Sequence, residues 1–289
     1  MKVLLTGCSG FLGYHFIKAL HKKGYEVIGV DKRPLPKDYP KLDKFIQCDV
    51  KDLHFRDLMG VDFVVHMAWR TNIPDCKRHP EESTENNIGM TVHLLEVCKE
   101  AGIKKFIFPS TASQYGNNPT PWKEDMISDP VEPYSWQKLS CEFLCKMYDV
   151  PCSIVRYFQI YGEYQREDTA LAAFFRLKKE GKPITLTETM AQSKFKSGQR
   201  DFVYAGDVAE ATVKVMEDGK NKEIYNVASG VVHTMEEIAD AVGGEVQWIA
   251  KREYECERHE ANLDKLLGLG WKPQTEVISW IKNHVKKTV

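Results

Sequence analysis

Nowhere in the 289 residues is there an apolar run near the roughly 18 residues that cross a bilayer, so no membrane span is expected. The opening MKVLLTG carries one charge and a short apolar run that stops at a glycine, which reads as a strand rather than a secretion signal. An excess of charge of either sign is missing too: 40 Lys plus Arg stand against 41 Asp plus Glu. Without a positive field a dedicated nucleic-acid binder is excluded, and the Lys-rich end (Lys282, Lys286, Lys287) reads as a solvated helix face. Neither C-x-x-C nor H-E-x-x-H occurs. Cys141 and Cys145 lie one helical turn apart with no complementary His or Cys pair. The eight cysteines are therefore expected as free, small buried side chains in a reducing cytoplasm, and no metal is expected. Repeats, low-complexity tracts and linkers are also lacking. What remains is a chain with 43% hydrophobic and 28% charged residues, ordinary for a globular protein.

The first half alternates strand and helix signals. Lys2–Thr6, Tyr25–Val30, Lys44–Cys48, Val61–Met67, Lys105–Ser110 and Cys152–Phe158 read as short apolar strands, with helices predicted over Phe11–Lys23, Ser83–Ala101 and Tyr134–Tyr148. Within Ser83–Ala101 the residues Ile88, Val92, Leu95 and Cys98 recur along the helix, and Gly102 is placed as a stop. Strands joined by helices in this way predict an α/β fold with a doubly wound parallel sheet. Beyond Gln159 the alternation loosens into short helical patterns (Ala170–Lys179, Val208–Glu217, Met235–Val242, Glu276–Lys286) and brief strands such as Glu223–Val227. The expected organisation is a main domain over residues 1–158, to which residues near 200–222 return, and a smaller α/β lobe over 159–289.

Thr6-Gly7-Cys8-Ser9-Gly10-Phe11-Leu12-Gly13 follows the first strand and opens the first helix. Glycines there serve a tight turn, close approach to a pyrophosphate and helix-on-strand packing, while the helix N-terminus adds partial positive charge. Asp31, at the end of the second strand, is placed to accept hydrogen bonds from ribose hydroxyls and to repel a 2′-phosphate, which favours NAD over NADP. Lys32 and Arg33 blunt that preference, so NADP stays open. The sheet is thus expected to be of the Rossmann type, with 1–158 binding the dinucleotide and 159–289 the substrate.

Tyr134-Ser135-Trp136-Gln137-Lys138 sets Tyr134 and Lys138 on one helix face. A free tyrosine, with a pKa of about 10, is a poor base at neutral pH, and bringing it there takes roughly 4 kcal/mol. A lysine ammonium about 4 Å away at an effective dielectric near 20 supplies about that much, whereas burial works in the opposite direction. The pair follows Ser110-Thr111-Ala112-Ser113-Gln114-Tyr115-Gly116 at the end of the fifth strand, the end of a parallel sheet at which ligands collect.

Taken together, TGCSGFLG, Asp31, Asp49-Val50, HMA (His66–Ala68), Asn87 in ENNIGMT, STASQYG, PYSWQK, RYFQIYG (Arg156–Gly162), RDFVYAGDVA (Arg200–Ala209), YNVASG (Tyr225–Gly230) and Leu269–Pro273 resemble the extended short-chain dehydrogenases/reductases, in particular the NAD-dependent nucleotide-sugar epimerase/dehydratase family. The resemblance runs along nearly the whole chain. It implies Tyr134 as acid/base, Lys138 as its partner and Thr111 as their helper at a sugar hydroxyl. It implies Gly7, Gly10, Phe11, Leu12 and Gly13 at the pyrophosphate, Asp31 at the ribose and Asp49 with Val50 at the adenine, with Lys32 also among the cofactor-binding residues. Met67, Ala68, Asn87, Ser110, Tyr157 and Phe158 belong, on the same ground, to the cofactor's remaining surroundings. Thr71, Gln159, Arg200 and Arg258 fall to the substrate, the two arginines to its diphosphate.

Four positions depart from the family pattern. Gln159 stands where Asn is usual, and Trp69 where a small residue is usual. Ala112 and Ser113 replace the Asp-Glu pair that follows the helper hydroxyl in 4,6-dehydratases, which argues against water elimination. The leading expectation is a nucleotide-sugar 4-epimerase that holds NAD tightly and passes through a transient 4-keto sugar. A 4-ketoreductase with exchangeable NAD(P)H uses the same residues once. A cofactor-sensing regulator without chemistry is a third reading, against which stands the intact Tyr134/Lys138/Thr111 set. Family analogy also implies a cytoplasmic homodimer joined through the helices Ser83–Ala101 and Tyr134–Tyr148, with Leu139, Phe143 and Met147 at the contact.

Overall fold

Unbroken apolar runs such as KVLLT form strands covered on both faces, and alternate residues of each run divide between two helical layers. The computed structural model describes residues 1–189, 193–250 and 256–288. Its main sheet begins with β1 (Lys2–Thr6), β2 (Glu26–Asp31), β3 (Lys44–Gln47), β4 (Phe63–His66), β5 (Lys105–Thr111) and β6 (Cys152–Tyr157). These lie in the order β3-β2-β1-β4-β5-β6, every pair parallel. Val3 and Leu5 of β1 point into a core with α1 (Phe11–Lys22), where Phe16, Ile17 and Leu20 are fully buried. Leu4 points the other way, into a second core.

Next along the chain come α2 (Ile73–Arg78), α3 (Pro80–Thr84), a π-helical turn at Glu85–Gly89, α4 (Met90–Ala101) and later α5 (Pro133–Met147); α4 and α5 cover the second core, while α2 and α3 pack on α5. Gly102 ends α4 in the left-handed conformation, as the sequence predicts. The π turn was not foreseen. It accommodates an extra residue so that the Asn87 side chain faces inward, where its Nδ2 donates to Gln137 Oε1 on α5 at 2.8 Å.

The chain then builds a smaller lobe from β7 (Gln159–Tyr161), α6 (Ala170–Lys179), β8 (Ile184–Thr187) and β9 (Gln199–Tyr204). It returns to the main domain as α7 (Ala205–Asp218), which packs beside α1 in the first core, and β10 (Glu223–Val227). Sequence patterning placed Glu223–Val227 in the smaller lobe. It is instead the seventh strand of the main sheet, parallel to β6 with Tyr225 opposite Val155. The remaining elements, β11 (Val232–Thr234), α8 (Met235–Val242), β12 (Val246–Ile249), α9 (Asp264–Gly268) and α10 (Val277–Thr288), complete the fold. In the lobe β9 lies between β7 and β11, and β8 pairs with β12. Leu171, Phe174, Ile184, Ile238 and Ile281 form its core. Among the described residues no helix is long and apolar enough to cross a membrane.

Candidate active site

The turn after β1 packs against the segment leaving β4. Gly7 has φ +71° and a Cβ there would lie 2.7 Å from the Ala68 backbone nitrogen, so the close approach admits only glycine. At Gly13 an added Cβ would fall 1.9 Å from the Cys8 carbonyl oxygen, which seats α1 directly on the turn. Gly10, the N-cap of α1, offers no side chain to the helix start. In the first turn of α1 the Gly13 amide donates to the Gly10 carbonyl at 2.9 Å, while no side chain caps the amides of Phe11 and Leu12, and these, with the helix dipole, make an anion site suited to a pyrophosphate.

From this turn a cleft of about 960 Å³ runs along the carboxyl ends of the strands. It is lined in succession by Gly7, Gly10, Phe11 and Leu12 after β1, and by Asp31 and Lys32 at β2. Asp49 and Val50 follow after β3, and Met67, Ala68 and Thr71 after β4. Ser110 and Thr111 of β5, Tyr134 and Lys138 of α5, and Tyr157, Phe158 and Gln159 beyond β6 close the far end. The buried Asp31 carboxylate accepts from the Ser9 amide at 3.1 Å and the Arg33 amide at 2.9 Å, with Arg33 Nε 3.4 Å away. The residues present fit a dinucleotide: a glycine cradle that a Cβ would fill, uncapped amides and a carboxylate at the second strand end.

Four of the residues named from sequence stand outside the lining. Gly13 and Asn87 act behind it, the latter by holding the Arg70 backbone: Asn87 Oδ1 accepts from Arg70 N at 2.9 Å, and Nδ2 donates to Arg70 O at 3.1 Å. Arg200 and Arg258 lie next to each other through a bridge between Gln199 and Arg258. Arg200 is buried and donates to the carbonyls of Gln199 and Glu257, while Arg258 is bonded to Gln199 Oε1 and Glu260. Tyr157 lines the cleft with its ring but shares its hydroxyl with Thr212 of α7, 2.8 Å away.

Helix α5 is set by Glu132, whose carboxylate accepts from the amides of Tyr134 at 2.7 Å and Ser135 at 2.8 Å, with Pro133 preformed for the first turn. Tyr134 and Lys138 then reach the end of β5. Burial, helped by Glu132, pushes the Tyr134 phenol above its usual range, while the Thr111 hydroxyl and Arg166 pull it down. Burial lowers Lys138 to about 7 against the opposing pull of Cys141 and Glu142. Its ammonium donates to the Pro109 carbonyl at 2.6 Å. In the protein alone burial is thus the largest influence on both groups.

Further supports lie beneath. Thr6 Oγ1 accepts from Ala68 N at 3.1 Å and so turns its proton to His66 Nδ1 at 2.9 Å; His66 Nε2 then donates to Thr91 Oγ1 at 3.2 Å. Burial, with the Lys138 charge adding to it, keeps His66 neutral. Glu142, one turn beyond Lys138, forms a buried two-pronged pair with Arg156 at 3.0 and 2.8 Å and accepts from Gln114, which also donates to Ser110 Oγ at 3.0 Å. Arg166 and Asp168, between β7 and α6, line the cleft's outer wall, with Arg166 bonded to Thr71 Oγ1 and Asp168. Neither was singled out from sequence, because that segment has no periodicity and its place is set by side-chain bonds to a loop nearly a hundred residues earlier.

A parallel sheet with a dinucleotide cleft along its strand ends, closed by a tyrosine, a lysine and a threonine, defines a nucleotide-dependent oxidoreductase-type fold and site. The family described as the NAD dependent epimerase/dehydratase family matches residues 3–228, and the chain belongs to it. A UDP-glucuronate 4-epimerase of Thermodesulfobacterium geofontis is 28% identical, over 98% of this chain and 97% of its own. The structure of a UDP-glucose 4-epimerase from Thermus thermophilus, complexed with NAD, matches with a TM-score of 0.88 and 29% identity over 100% of both chains. A dTDP-glucose 4,6-dehydratase from Streptomyces venezuelae, with NAD bound, matches with a TM-score of 0.87 and 26% identity over 99% of this chain and 97% of its own. The protein is thus an NAD(P)-dependent enzyme of the nucleotide-sugar epimerase/dehydratase type.

Proposed function

We propose that the protein is an NAD-dependent nucleotide-sugar epimerase that inverts a hexose at C4 through a transient 4-keto sugar. One observation carries this: Thr111, Tyr134 and Lys138 meet at one end of the dinucleotide cleft, while Ala112 and Ser113 next to Thr111 bring no carboxylate. Without an acid and base at that place, elimination of water has no agent. Bound NAD, which Gly7, Gly10, Asp31 and Asp49 would hold, would supply a reversible hydride acceptor for C4. Tyr134 takes the proton of the C4 hydroxyl and gives it back, Lys138 supplies the positive charge that favours the phenolate, and Thr111 shares the hydroxyl's hydrogen bond. Thr71 and Gln159 flank the sugar from the cleft wall, and Arg200 with Arg258 hold the diphosphate where it extends beyond the cleft.

A second reading, a 4-ketoreductase using NADPH, is favoured by Asp31, whose carboxylate is already answered by the Arg33 amide and guanidinium and repels a 2′-phosphate less than a bare one. Mass spectrometry of nucleotide sugars incubated with the protein separates the two. An epimer appears at unchanged mass and altered retention; reduction adds two hydrogens to 4-keto sugars supplied with NADH or NADPH. Loss of water would overturn both readings. A homodimer through α4 and α5 is part of the proposal, supported by the exposed Trp136, Phe143 and Met147 on α5. Sedimentation at the monomer mass would remove it.

A further inference from the structure

We propose that Trp69 is a positioning residue for Lys138, its indole face holding the lysine head as an ammonium beside Tyr134. The proposal rests on the assignment of Tyr134 and Lys138 as the reacting pair. Lys138 Nζ lies 3.7 Å from the centroid of the Trp69 ring and 4.9 Å from that of Phe108, with the Pro109 carbonyl 2.6 Å away. The same indole meets Phe108 edge to face at 5.8 Å and Tyr134 at 6.5 Å. One side chain therefore touches both members of the pair.

The indole has little freedom to leave. Ahead of it the Ala68 amide is bonded to Thr6 Oγ1, and behind it both backbone groups of Arg70 are held by Asn87. Arg70 is further tied to Asp75 at 2.5 Å and Glu82 at 2.6 Å. Trp69 Nε1 is buried with no hydrogen-bond partner, a cost that phenylalanine would not carry. What tryptophan adds over phenylalanine at this place is the stronger π face for a cation.

The other groups around Lys138 do not do this work. On its own helix Glu142, Cys141 and Cys145 favour the charged form, but the Glu142 carboxylate is already matched by Arg156, and the two thiols are held protonated by burial. His66 of β4 is neutral, and Tyr134 is a phenol at rest. Arg166 acts on Tyr134 from across the cleft. Burial alone takes Lys138 down to about 7. Alongside the Pro109 carbonyl and the more distant Phe108 face, the indole quadrupole attracts the ammonium from 3.7 Å, and it disfavours loss of the proton.

The test is competitive acetylation of Lys138 by acetic anhydride across pH 5–10, read by peptide mass spectrometry on the full-length wild-type protein and on Trp69→Phe and Trp69→Leu variants. Melting curves establish that each is folded, and Trp69→Met replaces the leucine variant should that one not fold. The rate follows the fraction of free amine. The expected order of midpoints is Trp, then Phe, then Leu or Met, the last lying about 0.5 to 1.5 pH units below wild type. An unchanged or raised midpoint in the leucine or methionine variant overturns the proposal, even if turnover falls. Because the readout needs no substrate, it stands or fails apart from the epimerase assignment, which the mass-spectrometric panel decides.

Discussion

Replacing His66 by glutamine should flatten the loss of stability that the protein suffers as pH falls below 6.5. His66 is fully buried between Thr6 and Thr91, and burial, with the Lys138 charge adding to it, lowers its pKa to about 3. In the unfolded chain it titrates near 6.5. Below that value the unfolded state takes up a proton that the folded state refuses, so stability declines with falling pH until the folded value is reached. Above 6.5 both states are neutral, and His66 contributes no pH dependence. At about 1.4 kcal/mol per pH unit, the penalty reaches about 3 kcal/mol at pH 4.5. In a protein of this size that is roughly 5–10 °C of melting temperature. Glutamine keeps one acceptor and one donor for the two threonines but does not titrate. Thermal melts of both proteins at pH 7.5 and 4.5 measure the difference in slope, which does not depend on whether glutamine itself lowers stability at neutral pH. Parallel losses in the two proteins would mean that His66 takes up its proton in the folded state, and the argument from burial would be wrong.

Gly7→Ala should remove NAD binding, because the new Cβ meets Ala68 N at 2.7 Å from a backbone at φ +71°; calorimetric titration with wild-type affinity would contradict this. Asp31→Asn keeps the shape of the acceptor but not its charge, and the ratio of NAD to NADP dissociation constants should move towards NADP by about tenfold or more, roughly 1.4 kcal/mol. An unchanged ratio would show that Asp31 does not set the preference. Arg156→Met strands the buried Glu142 carboxylate and should cost about 3–5 kcal/mol in urea unfolding. Adding Glu142→Gln should recover most of that loss, and a double variant no more stable than the single one would show that the charge is not the cause.

The central strands were legible because β1, β4 and β5 are apolar on both faces, a local property. The partner of a strand is not local: β10 has the composition of a lobe strand, and only its pairing with β6, some 70 residues earlier, places it in the main sheet. The glycine turn, Asp31 and the Tyr134/Lys138 spacing were readable because each is a short motif at a strand end. Their environment was not. The helical spacing of Tyr134 and Lys138 puts them on one face, yet the groups around them, Trp69 and Phe108 at Lys138 and Arg166 near Tyr134, arrive from three other segments. Arg200 and Arg258 carry the chemistry of a phosphate site, but the fold gives them partners among Gln199, Glu257 and Glu260, outside the cleft lining.

The route of the chain has a further consequence for anyone wishing to exchange substrate lobes. The backbone leaves the main sheet after β6, comes back as α7 and β10, leaves again as β11 and α8, and sends α9 back to the first core before ending in α10. No single cut separates the halves. Severing at residue 158 would strip β6 of its outer neighbour and α1 of the helix beside it, opening a bare strand edge and an apolar face to any passing chain. The active cleft is therefore not a slot between two transferable modules but a seam stitched several times by one thread, and a graft that keeps its chemistry must carry both sides together.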